Sequence, residues 1–232
     1  MPGAAVSGNP AAQLWLFDFD NTLAALEKEV DWAASRQDLE SFLRSEGVDE
    51  GVFREFPTRN LTLYDALLRR SAMSRRDSAS LMRQASVIIE AHELRGIKSA
   101  SPMPGAIKML QALHRAGKRI AIVTSNSAVT ASRWLTLHTL NAEVGAIVGR
   151  DSLLPLKPAP EMVLHAIALS RATVRETVMV GDSQADLNAA RHAQIGFFGV
   201  AGTAETKSQL VAAGAREVFQ SLRELGCALN LP

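Results

Sequence analysis

LWLFDFDNTL, residues Leu14 to Leu23, is the stretch that decides the fold of this chain. Its first four residues are apolar, and two carboxylates, Asp18 and Asp20, follow at alternate positions. A nearly continuous apolar run that ends in acids is typical of a buried strand in a parallel sheet. Open α/β sheets bind their ligands at the carboxyl ends of such strands. Taken alone, the stretch also fits a strand that ends in a solvated acidic turn.

The composition indicates a globular protein with a large core. The chain has 232 residues, of which 47% are hydrophobic and 21% are charged. This is enough for one large α/β domain or for a domain that carries an insertion. The 25 Lys and Arg residues nearly balance the 24 Asp and Glu residues, so the overall charge favours neither nucleic acid nor a membrane as a partner. A single cysteine, Cys227, excludes an internal disulfide and a cysteine zinc cluster.

The amino-terminal residues 1–13 are predicted to form a poorly ordered tail, because they are small, uncharged and interrupted by Gly and Pro. They lack the basic start and long apolar run of a signal peptide. No other stretch approaches the roughly 20 apolar residues of a membrane span. We therefore expect a cytoplasmic protein. We also expect it to be a monomer or a homodimer.

Residues 24–101 differ in character from the opening strand. Leu, Ala, Arg, Glu and Ser dominate, and apolar residues recur at helical spacing, as in Leu39, Phe42 and Leu43. Breaks at 47–51, at Pro57 and at 71–77 divide the segment into three or four short helices. We predict a small all-helical cap over 24–101, inserted into a core formed by 14–23 and 102–232.

The rest of the chain alternates between apolar runs and helical patterns. Further strands are predicted over residues 120–123, 146–148, 177–180 and 197–200. Helices are predicted over 106–116, 131–140, 187–193 and 205–213, with another that starts at 157. Such alternation implies right-handed crossovers and a parallel sheet. The predicted fold class is α/β, a doubly wound parallel sheet with a Rossmann-like core and the helical cap.

Polar residues follow several of the predicted strands. They are Asp18, Asp20, Thr124, Ser125, Asp182 and Asp186, and Lys157 starts a helix. In a parallel sheet the strand ends share one edge, so these residues can meet in one cleft. Carboxylates suit a hard cation such as Mg²⁺, whereas an ammonium, hydroxyl and backbone N–H groups suit a phosphate. The sequence therefore predicts a site for Mg²⁺ and a phosphate.

Four ordered motifs resemble the signature of the haloacid dehalogenase superfamily. They are DFDNT at 18–22, a strand that ends in Thr124, the pair Lys157-Pro158, and Gly181-Asp182 with Asp186 four residues later. The resemblance covers roughly residues 14–225. It implies a phosphatase with a helical cap after the first motif, similar to phosphoglycolate phosphatases, that acts on a small phosphorylated metabolite.

The resemblance also implies roles in catalysis and metal binding. Asp18 would be the nucleophile that forms an aspartyl-phosphate, and Asp20 would be the general acid and then the general base. Mg²⁺ would be held by the carboxylates of Asp18 and Asp182 and by the main-chain carbonyl of Asp20.

Residues of the later motifs are expected to bind the phosphate. The resemblance implies that Thr124, Ser125 and Lys157 bind the transferred phosphoryl group. Asp186 would orient either Lys157 or a water molecule on the metal.

Asp20 bears on the type of reaction. Dehalogenases of this superfamily lack an acid two residues after the nucleophile, whereas its phosphatases and phosphomutases keep one. The chain departs from the common pattern at Asn21, at Ala24 and Ala25, and at Gln194, where glycine, a polar residue and glycine are usual. The substitution at 24 and 25 weakens an assignment to the sugar phosphomutases.

Three alternatives stay open. The same fold could carry a phosphomutase, or a phosphonate hydrolase that would use Lys28 or Lys98 for imine formation. It could also be a binding module without activity. Basic residues of the cap could recognise an anionic substrate group or could form a solvated face; they are Arg54, Arg59, Arg69, Arg70, Arg75, Arg76 and His92.

Overall fold

Six parallel strands form the sheet in this computed structural model, which describes residues 7–71 and 78–231. They are β1 (Leu14–Phe17), β2 (Arg119–Val123), β3 (Ala146–Val148), β4 (Thr177–Gly181), β5 (Gly196–Val200) and β6 (Val218–Phe219). Their order across the sheet is β3-β2-β1-β4-β5-β6. The chain therefore proceeds outward from β1 in both directions, so the ends of β1 and its neighbours form the crevice of a doubly wound sheet.

Ten α-helices accompany the sheet in the described residues. Four lie between β1 and β2 in the insert: α1 (Trp32–Ser45), α2 (Glu50–Glu55), α3 (Asn60–Ser71) and α4 (Ser78–Gly96). The others are α5 (Ala106–Arg115), α6 (Ala128–Leu137), α7 (Glu161–Leu169), α8 (Gln184–His192), α9 (Ala204–Ala212) and α10 (Leu222–Ala228). Within the part of the chain that is described, no helix has both the length and the apolar character needed to cross a membrane.

Strand β1 is buried on both faces of the sheet. Leu14 and Leu16 belong to one apolar cluster, and Trp15 and Phe17 belong to the cluster on the opposite face. All four are at most 1% exposed. Covering helices on both faces explain why the strand is apolar throughout instead of alternating with polar residues.

The helical insert, residues 24–101, leaves and rejoins the sheet at neighbouring points. The Ala25 N–H donates to Ser101 O at 2.9 Å, and the Met103 N–H donates to Leu23 O at 2.9 Å. Helix α4 then packs against α1, α3 and α6, so it lies between the rest of the insert and the core. The predicted break at 71–77, with Arg75 and Arg76, falls mainly on residues 72–77, outside the described residues.

Several predicted boundaries were wrong. Helix α6 begins at Ala128 instead of 131 because the Ser127 side chain caps it, accepting from the Thr130 N–H at 3.0 Å. The helix expected from 157 begins at Glu161. Strand β6 and helix α10 were not predicted, since two paired residues carry too little periodicity to be recognised.

The prediction of a disordered tail over 1–13 does not hold for residues 7–13. The Gly8 N–H donates to Glu217 at 2.6 Å, the Gln13 N–H donates to Glu176 O at 2.8 Å, and Ala12 is fully buried. These contacts with residues far along the chain leave no local pattern in the sequence. Residues 1–6 lie outside the described residues.

Candidate active site

The first motif forms a tight turn directly after β1. Asp18 continues the strand, since its N–H donates to Val180 O at 2.9 Å. The chain then turns at Asn21, whose φ of 59° is left-handed. Asparagine tolerates this conformation better than most residues other than glycine. The turn can therefore form with asparagine in place of the glycine that is usual at this position. The turn leaves Asp18 only 7% exposed, at the carboxyl end of the central strand.

Lys157 lies in contact with the predicted nucleophile. Its Nζ donates hydrogen bonds to Asp18 Oδ1, to Asp186 Oδ1 at 2.6 Å and to Val123 O at 3.1 Å. Its side chain is only 4% exposed. Burial by itself lowers the pKa of Lys157, but the two carboxylates outweigh burial and raise the pKa above its ordinary value. Lys157 is therefore a fixed positive charge at the sheet edge.

Three carboxylates gather at this edge. Asp18, Asp182 and Asp186 each offer an oxygen atom within 4.8 Å of the others. Burial, followed by the charge of Asp186, raises the pKa of Asp18 to about 6. Burial, followed by the charges of Asp18 and Asp186, raises the pKa of Asp182 to about 9. Clustered oxygen ligands whose charges repel one another fit a hard divalent cation, which would relieve the repulsion.

Asp186 is held differently from the other two acids. Its Oδ1 accepts from Lys157, and its Oδ2 accepts from the Ser183 N–H at 3.0 Å and the Ser183 hydroxyl at 2.6 Å. Asp182 accepts one bond, from the Thr22 hydroxyl at 3.2 Å. Both oxygens of Asp186 are therefore engaged by protein groups, whereas Asp18 and Asp182 each accept through one oxygen. Gly181 permits this approach, because an added Cβ would lie 2.6 Å from Asp186.

The side chain of Asp20 is bonded to the start of the insert and is not one of the three clustered carboxylates. Its Oδ1 accepts from the N–H groups of Leu26 at 3.0 Å and Glu27 at 2.8 Å. Burial, with the charges of Asp18 and Glu27, raises the pKa of Asp20 to about 7 despite these hydrogen bonds. A carboxyl group with a pKa near neutrality can both release and accept a proton at physiological pH.

Thr124 and Ser125 follow β2, next to β1 in the sheet. The Thr124 hydroxyl accepts from the Asn126 N–H at 3.0 Å and donates to Asn126 Oδ1 at 3.1 Å. Ser125 is half-buried. Its N–H has no partner among the residues that the structure describes, so it is free to bind a ligand.

A cavity of about 380 Å³ extends from Asp20 into the insert. Its lining consists of Asp20, Glu27, Trp32, Thr58, Arg59, Asn60, Leu61 and Thr62. Of the candidate cap cations, Arg59 lines this cavity, whereas Arg69 and Arg70 pair with Asp65 and Glu55 at 2.7 and 2.6 Å.

Two further charged residues near the loop after β2 were not predicted. Arg150 follows β3, and Glu93 lies on α4; they form an ion pair in which both side chains are 0% exposed. The rule that polar residues after parallel strands share one edge could have found Arg150. Glu93 lies in an ordinary helical pattern that contains no such signal.

Sequence relatives of this chain are phosphatases. It is 35% identical over 137 residues to the plasmid phosphoglycolate phosphatase of Cupriavidus necator, a match that covers 56% of each chain. It is 34% identical over 101 residues to the pyrophosphatase PpaX of Anoxybacillus flavithermus, covering 44% of this chain and 47% of that one. The chain spans about half the length of the curated relatives it matches.

Solved structures share the fold across nearly the whole chain. CbbY of Rhodobacter sphaeroides in complex with phosphate superposes with a TM-score of 0.64 at 22% identity, covering 95% of this chain and 100% of that one. A hydrolase from Pseudomonas syringae superposes with a TM-score of 0.65 at 24% identity, covering 94% and 98%. Residues 15–200 match the family described as haloacid dehalogenase-like hydrolase. The chain therefore belongs to the haloacid dehalogenase-like hydrolase family.

Proposed function

We propose that this protein is a Mg²⁺-dependent phosphatase that hydrolyses a small phosphomonoester through an aspartyl-phosphate on Asp18. The observation that carries the proposal is the contact of Lys157 with both Asp18 and Asp186, beside Asp182, at the edge where β1 and β4 end. A nucleophilic carboxylate needs a nearby cation when it approaches an anionic phosphate. The named phosphatases among the relatives support the same reaction class.

In the first half-reaction, a carboxylate oxygen of Asp18 attacks phosphorus, and the bond from phosphorus to the leaving oxygen breaks. Asp20 donates its proton to that oxygen, so the product leaves as a neutral alcohol. The raised pKa of Asp20, about 7, keeps part of the population protonated for this step at neutral pH.

In the second half-reaction, Asp20 is the base. It removes a proton from a water molecule as the water oxygen attacks phosphorus, and the bond between phosphorus and Asp18 breaks. Inorganic phosphate is released, Asp18 is regenerated and Asp20 regains its proton.

Binding of the phosphoryl group is assigned to Thr124, Ser125 and Lys157. The free N–H of Ser125 and the ammonium of Lys157 are the donors that support this assignment. The carboxylates of Asp18 and Asp182 and the main-chain carbonyl of Asp20 would hold Mg²⁺. When bound, Mg²⁺ would reduce the repulsion between the nucleophile and the phosphate.

The helical insert is proposed to act as a cap that binds the leaving group. The cavity beside Asp20 combines the ring of Trp32 with the cation of Arg59 and has room for a small organic group. A small phosphate ester with a second anionic group, such as phosphoglycolate, fits this lining. Pyrophosphate is a second candidate, supported by the PpaX relatives. Imine chemistry has less support, since Lys98 and the Lys28 side chain, 67% exposed, lie on the surface.

The test is phosphate release from an aryl phosphate and from a panel that includes phosphoglycolate and pyrophosphate. We expect turnover with Mg²⁺, loss with chelator and recovery when Mg²⁺ is added back. Asp18→Asn should abolish turnover while the circular dichroism spectrum stays unchanged. No turnover of any panel member by folded wild-type protein would overturn the proposal and favour a binding module.

A further inference from the structure

Glu93 and Arg150 form a buried ion pair that joins the helical insert to the core. The Arg150 Nη1 lies 2.7 Å from Glu93 Oε1, and its Nη2 lies 3.3 Å from Glu93 Oε2. Arg150 also contacts α4 through Ser86, donating from Nε to the hydroxyl and from Nη2 to the carbonyl, both at 3.2 Å. The pair is separate from the acid cluster, and the proposed reaction does not use it.

Both members of the pair hold the phosphate-binding loop, residues 124–127. Glu93 Oε2 accepts from the Ser127 N–H at 3.0 Å, and Glu93 Oε1 accepts from the Asn126 side chain at 3.1 Å. Arg150 Nη1 donates to Ser125 O at 3.0 Å. The loop is therefore bound on a backbone N–H, a backbone carbonyl and a side chain by two groups that are themselves fixed to each other.

These bonds decide which donors of the loop remain available. The N–H groups of Thr124, Asn126, Ser127 and Ala128 donate to Val148 O (2.9 Å), Thr124 Oγ1 (3.0 Å), Glu93 Oε2 (3.0 Å) and Asp151 Oδ1 (2.7 Å). Of the backbone N–H groups from Thr124 to Ala128, only that of Ser125 lacks an acceptor among the residues described. Its neighbouring carbonyl, Ser125 O, is held by Arg150, which restricts rotation of the chain at this residue.

We propose that Glu93 and Arg150 are positioning residues that orient the phosphate-binding loop, so that the Ser125 N–H is presented to the phosphoryl group. The catalytic role that we infer for the pair rests on the proposed function. A purely apolar contact could join α4 to the core at least as stably, because desolvating two charges is costly. The directional bonds to three loop residues are what the ion pair adds.

The experiment compares Glu93→Gln and Arg150→Lys with Phe197→Leu. Phe197 is buried on β5 and makes none of the loop contacts, so its truncation controls for lost stability alone. Three quantities are measured for each folded variant: the melting temperature, the inhibition constant for inorganic phosphate, and hydrogen exchange of the 124–127 amides.

We expect both pair variants to weaken inhibition by phosphate about 10- to 100-fold, as other residues that orient ligands do. In Glu93→Gln, exchange at Ser127 should accelerate, because its N–H loses a charged acceptor. Phe197→Leu should leave both readouts at wild-type values despite its lower melting temperature. Equal effects in the pair variants and in Phe197→Leu would reduce the pair to a structural role and overturn the proposal.

Two provisions keep the test decisive. If either pair variant fails to fold, Ser86→Ala removes only the hydroxyl that holds Arg150 Nε and should cause a smaller change in the same direction. If wild-type protein has no turnover, the proposed function fails, and exchange of the loop amides alone decides whether the pair orders the loop. Unchanged exchange in every folded pair variant would then overturn it.

Discussion

Lys157 Nζ lies 2.6 Å from Asp186 Oδ1, and the opposite oxygen of the same carboxylate is held by Ser183. The lysine is thus fixed by an acid that is itself fixed at the start of α8. This series of contacts connects the carboxyl end of β4 with Asp18, the predicted nucleophile, directly after β1. Asp186 therefore differs from the other two clustered acids, because both of its oxygens accept hydrogen bonds.

Asp186→Asn should lower kcat about 10- to 100-fold, because an amide attracts Lys157 less strongly and no longer fixes its ammonium beside Asp18. Steady-state kinetics with an aryl phosphate measures the effect. Asp49→Asn is the control, since Asp49 caps α2 by accepting from the Gly51 N–H at 2.8 Å. Equal kcat values for wild type and Asp186→Asn would contradict the assigned role.

Mg²⁺ should raise the melting temperature of the wild-type protein, because it binds the folded acid cluster and not the unfolded chain. At 100 times its dissociation constant, the gain is about 2.7 kcal/mol. Differential scanning calorimetry with Mg²⁺ or with chelator measures this shift. Asp182→Asn should lose most of the shift.

The same variant should be more stable than wild type in chelator, since it removes one of the repelling carboxylates. An increase of a few degrees is expected, because about 1 kcal/mol corresponds to about 2–4 °C in a chain of this size. A lower melting temperature than wild type under chelation would argue against repulsion within the cluster.

Arg59→Met should raise KM for phosphoglycolate about tenfold and change KM for an uncharged aryl phosphate much less. The reason is that Arg59 lines the cavity beside Asp20, where a second anionic group of the substrate would lie. The ratio of the two KM values is the measurement. Arg44→Met, which removes a surface cation paired with Glu40 and Glu50, should leave the ratio unchanged.

Glu93 should make stability depend on pH in the acidic range. Burial by itself raises the pKa of Glu93, but the charge and hydrogen bonds of Arg150 outweigh burial and lower the pKa below its ordinary value of 4.5. Because the pKa is lower in the folded state, the stabilisation is fully present above pH 4.5 and is lost as the pH falls through the folded-state pKa.

Urea unfolding at pH 7 and at pH 3.5 tests this linkage. Glu93→Gln should cost about 3–5 kcal/mol at pH 7, because it leaves Arg150 buried without its partner charge. The variant should lose less stability than wild type between the two pH values. Parallel losses in both proteins would show that other acids account for the dependence.

Gln194→Gly should stabilise the protein by up to about 1 kcal/mol. Gln194 is exposed and follows α8 with a left-handed φ of 59°, a conformation that glycine adopts without the steric cost of a Cβ. Gln209→Gly is the opposite control, because Gln209 lies inside α9, where glycine should destabilise by about 1 kcal/mol. Chemical unfolding compares the two, and a destabilised Gln194→Gly would contradict the argument.

Much of the site geometry could be predicted because it follows from short apolar runs that end in polar residues. Asp18, Thr124 and Asp182 each lie at or next to the end of a buried strand, and the parallel sheet brings those ends to one edge. The α/β fold prediction was confirmed by the six-stranded parallel sheet. The catalytic and binding roles of these residues stay predictions until activity is measured.

The sequence by itself determined the alternation of strands and helices, since apolar periodicity reflects burial of one or both faces. It also predicted that Asp18, Thr124 and Asp182 follow buried strands of one parallel sheet. Only the tertiary structure decided that Lys157 contacts Asp186 and that Glu93 contacts the phosphate-binding loop, 33 residues away. It also decided that residues 7–13 bond to Glu176 and Glu217, far along the chain. Such contacts depend on how separate elements pack in space, and local sequence patterns carry no record of that packing.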